Sequence, residues 1–138
     1  IALATLAPHC VQCSAVQVRR MYLILRNRKV IMSTAPKSQV LKMADLAAYQ
    51  EGSVVSRQIT KAEAGNVTLF AFDAAQELSE HTAPYDALVH ILDGEAEVRI
   101  SGAPHLLSAG DAIIMPADEP HALKAITRFK MLLTMIRA

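Results

Sequence analysis

Apolar and polar residues alternate with a period of two along most of the chain after Met32, in short runs separated by turn-forming residues. This period is typical of β-strands with one buried face, whereas a helix repeats about every 3.6 residues. Residues 40–49 depart from the pattern and are predicted to hold one short helix, with Asp45 as its cap. The pattern therefore predicts an all-β fold with a short N-terminal helical segment. The predicted strands are residues 54–59, 67–73, 87–92, 96–100, 105–107, 112–115, 121–125 and 129–136.

Two of these strands differ in the number of faces that they can bury. Residues 95–100 place Ala96, Val98 and Ile100 on one face and charged residues on the other, which indicates a strand with one solvated face. Residues 129–136 are apolar on nearly both faces. A strand covered on both sides in so small a protein suggests contact with a partner subunit, so we expect a homodimer.

The 138 residues suffice for one domain with a hydrophobic core and are too few for two ordinary domains. Charge divides the chain, since residues 1–31 carry five basic and no acidic residues, whereas residues 32–138 carry 9 basic and 13 acidic residues. The chain starts with Ile1, and Met32 is the expected natural start. We therefore interpret residues 1–31 as a basic leader that is non-native or poorly ordered. A basic amphipathic anchor or a nucleic-acid-binding arm is the other interpretation.

Cysteine content and hydropathy indicate the cellular compartment in which we expect the protein. Cys10 and Cys13 have the spacing of redox or metal sites, but no second pair or strand-to-helix pattern supports them. The remaining chain has no cysteine, so it gives no sign of an oxidising compartment. No apolar run approaches the roughly 18–20 residues of a membrane span, and the acidic body has no basic stripe for nucleic acid. We expect a cytoplasmic protein that binds neither membrane nor nucleic acid.

Two segments carry histidines at the spacings of a known pair of motifs. The matching residues are His81 and Gly94 in the first motif and Gly110, Pro116 and His121 in the second. On these residues the chain resembles the cupin superfamily, whose members are RmlC-like jelly-roll β-barrels. The resemblance covers roughly residues 65–136. It implies that residues 32–138 form one cupin barrel domain with a pocket inside it.

The resemblance also implies a site for one divalent metal, Fe, Mn, Ni or Zn, which cupins usually bind with three histidines and a carboxylate. His81 and His121 match this set, whereas Ala83 stands at the second histidine and Ala87 at the glutamate. His90 is the candidate third ligand. Strict alternation from Ala87 points His90 to the opposite face, and only a bulge would turn it inward.

The second motif departs from the family pattern at two further positions. Asp118 stands where the motif has its inner glycine, and Ala125 stands where it has asparagine. Around the two matching histidines, Tyr85 and Met115 are the candidate walls of the pocket. Packing in the core is the alternative interpretation of Met115 and of the aromatic residues near it.

Two functions are compatible with such a site. The first is a small cupin enzyme that acts on a small organic molecule, with the histidines holding a metal or acting as a general acid–base pair. The second is a non-catalytic barrel that has lost the metal site and binds a small ligand. A structural or interaction protein is a third option. Because cupins support many reactions on one fold, the sequence selects no substrate and leaves open whether the protein is an enzyme.

Overall fold

The structure is a computed structural model that describes residues 34–137, so the predictions for residues 1–31 lie outside the described residues. It has a short 3-10 helix, Met43–Leu46, followed by nine strands. None of the described residues belongs to a helix long and apolar enough to cross a membrane. Strands β1 to β9 are Val54–Ala62, Gly65–Phe72, Glu77–His81, Asp86–Asp93, Glu95–Ile100, Ala103–Ser108, Ala112–Met115, His121–Ala125 and Phe129–Ile136.

The strands form two antiparallel sheets. The five-stranded sheet has the order β1-β2-β9-β4-β7, and the four-stranded sheet has the order β3-β8-β5-β6. The last two strands are thus inserted between earlier ones, with β9 between β2 and β4, and β8 between β3 and β5. Two sheets packed over one core with such crossed connections form a jelly roll, and the all-β prediction is confirmed.

The main core fills the space between the two sheets. The five-stranded sheet contributes Phe72, Ile91 and Phe129, and the four-stranded sheet contributes Val98, all of them fully buried. Phe72 and Phe129 oppose each other in the register of β2 and β9, and their rings stack with centroids 4.5 Å apart. We call the faces that meet in this core the inner faces of the sheets.

A second hydrophobic cluster lies on the outer face of the five-stranded sheet. Residues 35–49, which we call the covering segment, pack against β1, β2 and β9 there. Leu132, on the outer face of β9, packs against this cluster. Part of the surface that was expected to meet a partner subunit is therefore covered by the chain itself. The buried members of the cluster are Ala35, Ala47, Ile59, Leu69 and Ala71.

Polar contacts tie the covering segment to the sheet. The Tyr49 hydroxyl donates to Asp93 Oδ2 at 2.6 Å, and Lys130 Nζ donates to the carbonyl oxygen of Ala44 at 2.6 Å. Burial raises the pKa of Tyr49, and the hydrogen bond and charge of Asp93 raise it further. The hydroxyl therefore keeps its proton, and its role as a donor, well into the alkaline range.

Asp73 anchors the loop that follows the covering segment. Its Oδ2 accepts from the backbone N–H of Gly52 at 2.7 Å, and its Oδ1 accepts from Arg128 Nε at 2.6 Å. The Gly52 N–H, and then the Arg128 guanidinium, lower the pKa of Asp73 because both favour the charged carboxylate. The loop is thus held by a carboxylate that stays ionised in mildly acidic solution.

The observed secondary structure differs from the predicted one in the bounds and cap of the helix and in one additional strand. The helix spans Met43–Leu46 only, with Asp45 inside it and Lys42 at the N-cap position without a side-chain capping bond. Strand β3, Glu77–His81, was not predicted because all five of its residues are exposed and do not show the alternation of a half-buried strand.

Candidate functional site

His81 and His121, which we call the histidine pair, lie side by side on neighbouring strands of the four-stranded sheet. They oppose each other in the register of β3 and β8. Their ring centroids are 4.4 Å apart, and the rings meet edge to face at 68°. His121 is only 3% exposed, whereas His81 is exposed, so the pair reaches from the surface into the protein. The structure thus brings together the two histidines of the motifs.

A β-bulge in β3 decides which side chain faces His121. Leu78 opposes Leu123, and an uninterrupted antiparallel register from there would place Glu80 opposite His121. The register shifts between Leu78 and His81, so His81 takes that place instead. A bulge adds one residue to one strand and redirects the side chains that follow it. The histidine pair therefore depends on a backbone irregularity that alternation in the sequence does not reveal.

The backbone holds both rings in the same way. His81 Nδ1 lies 2.8 Å from the carbonyl oxygen of Ser79, and His121 Nδ1 lies 2.9 Å from the carbonyl oxygen of Glu119. A carbonyl oxygen can only accept, so each Nδ1 carries the proton and donates it. In the neutral imidazole this leaves the lone pair on Nε2. Each ring is therefore oriented to offer Nε2 to a hydrogen-bond donor or a cation.

The turn before β8 joins the two motif segments. Asp118 adopts a φ of +62°, in the left-handed region that glycine enters most readily. This conformation explains why the cupin motif has glycine here, and aspartate is among the residues that tolerate it best. The backbone N–H of Asp118 donates to the carbonyl oxygen of Ala83 at 2.8 Å, and that of Ala117 donates to Asp86 Oδ1 at 2.9 Å. These two bonds fix the turn against the segment that follows His81.

The position of the family's carboxylate ligand is apolar in this chain. Ala87 is buried on the inner face of β4, where it opposes Met115 on β7 and Met135 on β9. Met115 is itself 2% exposed and belongs to the main core, as its alternative interpretation proposed. Methyl and thioether groups therefore lie where the family has its carboxylate ligand.

His90 does not join the histidine pair. Ala87, Val89 and Ile91 of β4 point into the main core, and His90 between them lies on the outer face, half-buried beside Leu132 of β9. The pairing of β4 with β9 shifts only after Ile91, so no bulge turns His90 inward. The strict alternation expected from the sequence holds, and the ligand role suggested for His90 is not supported by its placement.

Tyr85 lines a cavity that neither histidine lines. This cavity has a volume of about 220 Å³ and is bounded by Pro84, Tyr85, Asp86, Ala117 and Ile136. A larger cavity of about 330 Å³ lies where β3, β8 and β5 meet and is lined mainly by charged residues such as Glu77, Glu97 and Lys124. Tyr85 and the histidine pair, which were predicted to share one pocket, do not share either cavity.

The donor set does not fit a metal ion held by the protein alone. Two imidazoles are available, but the positions of the other two family ligands are Ala83 and Ala87. Within residues 34–137, no three His, Cys, Asp or Glu side chains are grouped so that they could hold a metal ion. Catalytic metal sites commonly use three protein ligands. The described residues therefore form a two-histidine site rather than the full metal site of the family.

Comparison with known proteins agrees with the fold. The family model of the cupin domain matches residues 68–136. A conserved Streptococcus pyogenes protein of unknown function is similar at 32% identity and a TM-score of 0.73, over 77% of this chain and 93% of that chain. None of the curated proteins compared with the chain matches it.

Two further solved structures are similar. A cupin superfamily protein from Desulfitobacterium hafniense has 28% identity and a TM-score of 0.72, over 77% of this chain and 97% of that chain. A Cupin 2 conserved barrel domain protein from Leptotrichia buccalis has 35% identity and a TM-score of 0.68, over 70% of this chain and 47% of that chain. The match to the family model covers half of the chain, and the jelly-roll fold accompanies it. The chain belongs to the cupin superfamily.

Proposed function

We propose that this protein binds a small organic molecule at the histidine pair, without a metal ion held by protein side chains alone. The observation that carries the proposal is the orientation of the two rings. Both Nδ1 atoms bond to backbone carbonyl oxygens, which leaves Nε2 of His81 and of His121 to contact a ligand. Two neighbouring rings, with centroids 4.4 Å apart, that each offer one acceptor suit a ligand with one or two hydroxyl groups.

The surroundings of the pair favour a ligand without negative charge. Glu80 comes directly before His81, and Asp118 and Glu119 come three and two residues before His121, so a carboxylate lies close to each histidine along the chain. Leu123, next to His121 on the inner face of β8, is apolar and 2% exposed. A phenol or catechol combines hydroxyl donors with an apolar ring and is the ligand class that we propose. A neutral imidazole can also take the proton of a bound hydroxyl, so general acid–base chemistry is the catalytic form of the same proposal.

A metal-dependent function is the second candidate, and one observation favours it. Histidines that bind a metal usually donate their other ring N–H to a carbonyl or carboxylate, and both members of the pair do so. His81 and His121 would then hold Fe, Mn, Ni or Zn only together with oxygen atoms from the ligand itself. This candidate and the metal-free proposal differ in whether the protein binds metal when a hydroxyl ligand such as catechol is present.

The test compares phenol, catechol and benzoate as probes by chemical-shift perturbation of the full chain. The test variants are His81→Asn and His121→Asn, because an asparagine amide can replace the Nδ1 donor but has no atom at Nε2. The matched control is His90→Asn, on the outer face of β4. We expect catechol and phenol to bind more tightly than benzoate. Each test variant should weaken catechol binding about tenfold, the equivalent of one hydrogen bond, and the control should not.

Three results would contradict the proposal. The absence of binding by every probe would remove the ligand class. Tighter binding of benzoate would show that the flanking carboxylates do not set the charge preference. Equal catechol affinity in the two test variants and in His90→Asn would place the binding site away from the histidine pair.

A further inference from the structure

A cavity on the four-stranded sheet is lined by charged residues of both signs. It is the cavity of about 330 Å³ where β3, β8 and β5 meet, and neither member of the histidine pair lines it. Three of its lining residues, Glu97, Arg99 and Lys124, alternate with residues that point into the main core, so they lie on the outer face of the sheet. We call this cavity the charged hollow.

A small side chain and a bulge give the charged hollow its shape. Ala122 on β8 opposes Arg99 on β5. On the other side of Ala122, the bulge in β3 leaves Ser79 and Glu80 together opposite this one residue. Because neighbouring strands are about 4.8 Å apart, the backbones of β5 and β3 lie about 10 Å apart across β8. A single methyl group between them leaves room for a ligand among the charged side chains.

The charges of the hollow are only partly paired with one another. Within residues 34–137, Glu97 and Arg99 form the one salt bridge among the lining residues, with 2.6 Å between Oε1 and Nε. Lys124 opposes Glu97 on β5 and Glu77 on β3 in the register, but it forms a salt bridge with neither. Glu80 also lines the hollow without a salt bridge to another described residue. An ammonium group and two carboxylates therefore face the hollow without a charged partner among the described residues.

We propose that the charged hollow binds a free α-amino acid with an apolar side chain. The carboxylate of the ligand contacts Lys124, and its ammonium group contacts Glu77 and Glu80 on β3. The side chain of the ligand covers Ala122 and Leu78, which line the hollow and are half-buried and 36% exposed, respectively. A volume of about 330 Å³ lies at the small end of the roughly 300–1,000 Å³ found for small-molecule sites, which suits one amino acid rather than a longer peptide.

Both charged ends of the ligand are needed for this recognition. A ligand with a carboxylate alone would satisfy Lys124 and be repelled by the carboxylates of β3, and a ligand with an ammonium group alone would have the reverse fault. A zwitterion satisfies both sides at once. Because the hollow is open to solvent, each contact contributes modestly, as exposed ion pairs do. The proposal is independent of the histidine pair, whose rings do not line this cavity.

The test is a chemical-shift titration of the full chain with leucine, N-acetylleucine and leucinamide. N-acetylleucine lacks the ammonium group and leucinamide lacks the carboxylate, whereas all three carry the same side chain. We expect leucine to bind about fivefold more tightly than either analogue, because each analogue loses one charge contact at a solvated surface. The backbone amide resonances that shift should belong to β3, β5 and β8.

Two variants separate the two ends of the ligand. Lys124→Gln should weaken the binding of leucine and N-acetylleucine about fivefold and should not weaken that of leucinamide. Glu77→Gln/Glu80→Gln should weaken the binding of leucine and leucinamide and should not weaken that of N-acetylleucine. The matched control is Lys61→Gln/Glu63→Gln, which removes exposed charges of both signs at the end of β1 and should change none of the affinities. All the replaced side chains are exposed, so the circular dichroism spectra should stay the same.

Four results would overturn the proposal. The absence of leucine binding by the parent chain would remove the ligand class. Equal affinities for leucine and the two analogues would show that the charges of the hollow do not recognise the ligand. Shifts confined to strands other than β3, β5 and β8, or the same loss of affinity in the control as in the test variants, would place the site elsewhere. Catechol binding at the histidine pair is measured separately, so these results leave that proposal as it stands.

Discussion

The outer face of the five-stranded sheet has one half that the covering segment packs against, on β1, β2 and part of β9, and another half, on β4 and β7, where Leu88 and Ile114 are exposed. Both halves present apolar side chains, Leu69 on β2 and Ile114 on β7 being examples. Leu69 is fully buried because the covering segment lies over it, whereas Ile114 is 61% exposed. The alternation along each strand is therefore the same signal in both places, and what differs is whether the chain folds back to cover it. A strand that is apolar on both faces shows that a surface must be covered, and not what covers it.

The covering segment also makes polar contacts with the sheet beneath it. Tyr49 bonds to Asp93, Lys130 to the carbonyl of Ala44, and Arg57 Nη1 to the carbonyl of Leu46 at 3.3 Å. These bonds fix where the covering segment lies, because each one joins it to a different strand. On the other half, Leu88, Ile114 and Ile136 are exposed, and Asp86 and Arg137 lie beside them.

The largest expected effect tests this contrast directly. Leu69→Ala removes buried apolar atoms from the cluster under the covering segment and should lower the free energy of unfolding by about 2–5 kcal/mol. Ile114→Ala should lower the free energy of unfolding by only about 0.5 kcal/mol or less, because Ile114 is 61% exposed. Urea unfolding of the two variants beside the parent measures both effects.

Two results would contradict this contrast. If Ile114→Ala lowered the free energy of unfolding as much as Leu69→Ala, the covered and uncovered halves would not differ in the way described. A loss for Leu69→Ala as small as that expected for Ile114→Ala would mean that the covering segment contributes little to stability.

The strands were largely predictable from sequence, and the reasons are visible in particular residues. In β5, Ala96 and Val98 are buried between the exposed Glu95 and Arg99, so the period of two is complete. Strand β3 was missed because none of its residues is buried and its pairing with β8 contains a bulge. The interpretation of β9 was incomplete, because Leu132, on the outer face of β9, packs against the covering segment of the same chain.

The site was predictable in part for similar reasons. Motif spacing placed His81 and His121 on the two segments that do meet, and strict alternation placed His90 outside. The bulge places His81 opposite His121, and Asp118 forms a left-handed turn; both are properties of the backbone. The substitution of aspartate for the motif glycine left that turn intact, so a mismatch in the motif did not mean a change in the fold. Tyr85 was misplaced because its loop turns it toward Ile136 and Arg137.

A smaller effect is expected from Asp73→Asn, which weakens the anchor of the loop after the covering segment without opening an apolar cavity. The pKa of Asp73 is lowered in the folded chain by the Gly52 N–H and by Arg128. The stability that this carboxylate contributes is therefore present above its unfolded pKa of about 3.9 and is lost as the pH falls through the folded value. The variant should unfold at a lower temperature than the parent at neutral pH, and the two should converge in acid.

Thermal unfolding between neutral and acidic pH measures this convergence. Asp45→Asn is the control, because Asp45 is exposed in the 3-10 helix and makes no side-chain hydrogen bond with the other described residues. A difference between parent and Asp73→Asn that stayed constant down to acidic pH would mean that the charge of Asp73 does not anchor the loop.

The most direct test of the functional account is the metal content of the full chain, purified without a histidine tag or chelator, beside the double variant His81→Asn/His121→Asn. The account predicts no stoichiometric metal in either protein after incubation with Fe, Mn, Ni or Zn, with or without catechol, because within residues 34–137 no third His, Cys, Asp or Glu side chain is grouped with the histidine pair. Near-stoichiometric metal in the parent, lost in the double variant, would contradict it and establish the metal-dependent alternative.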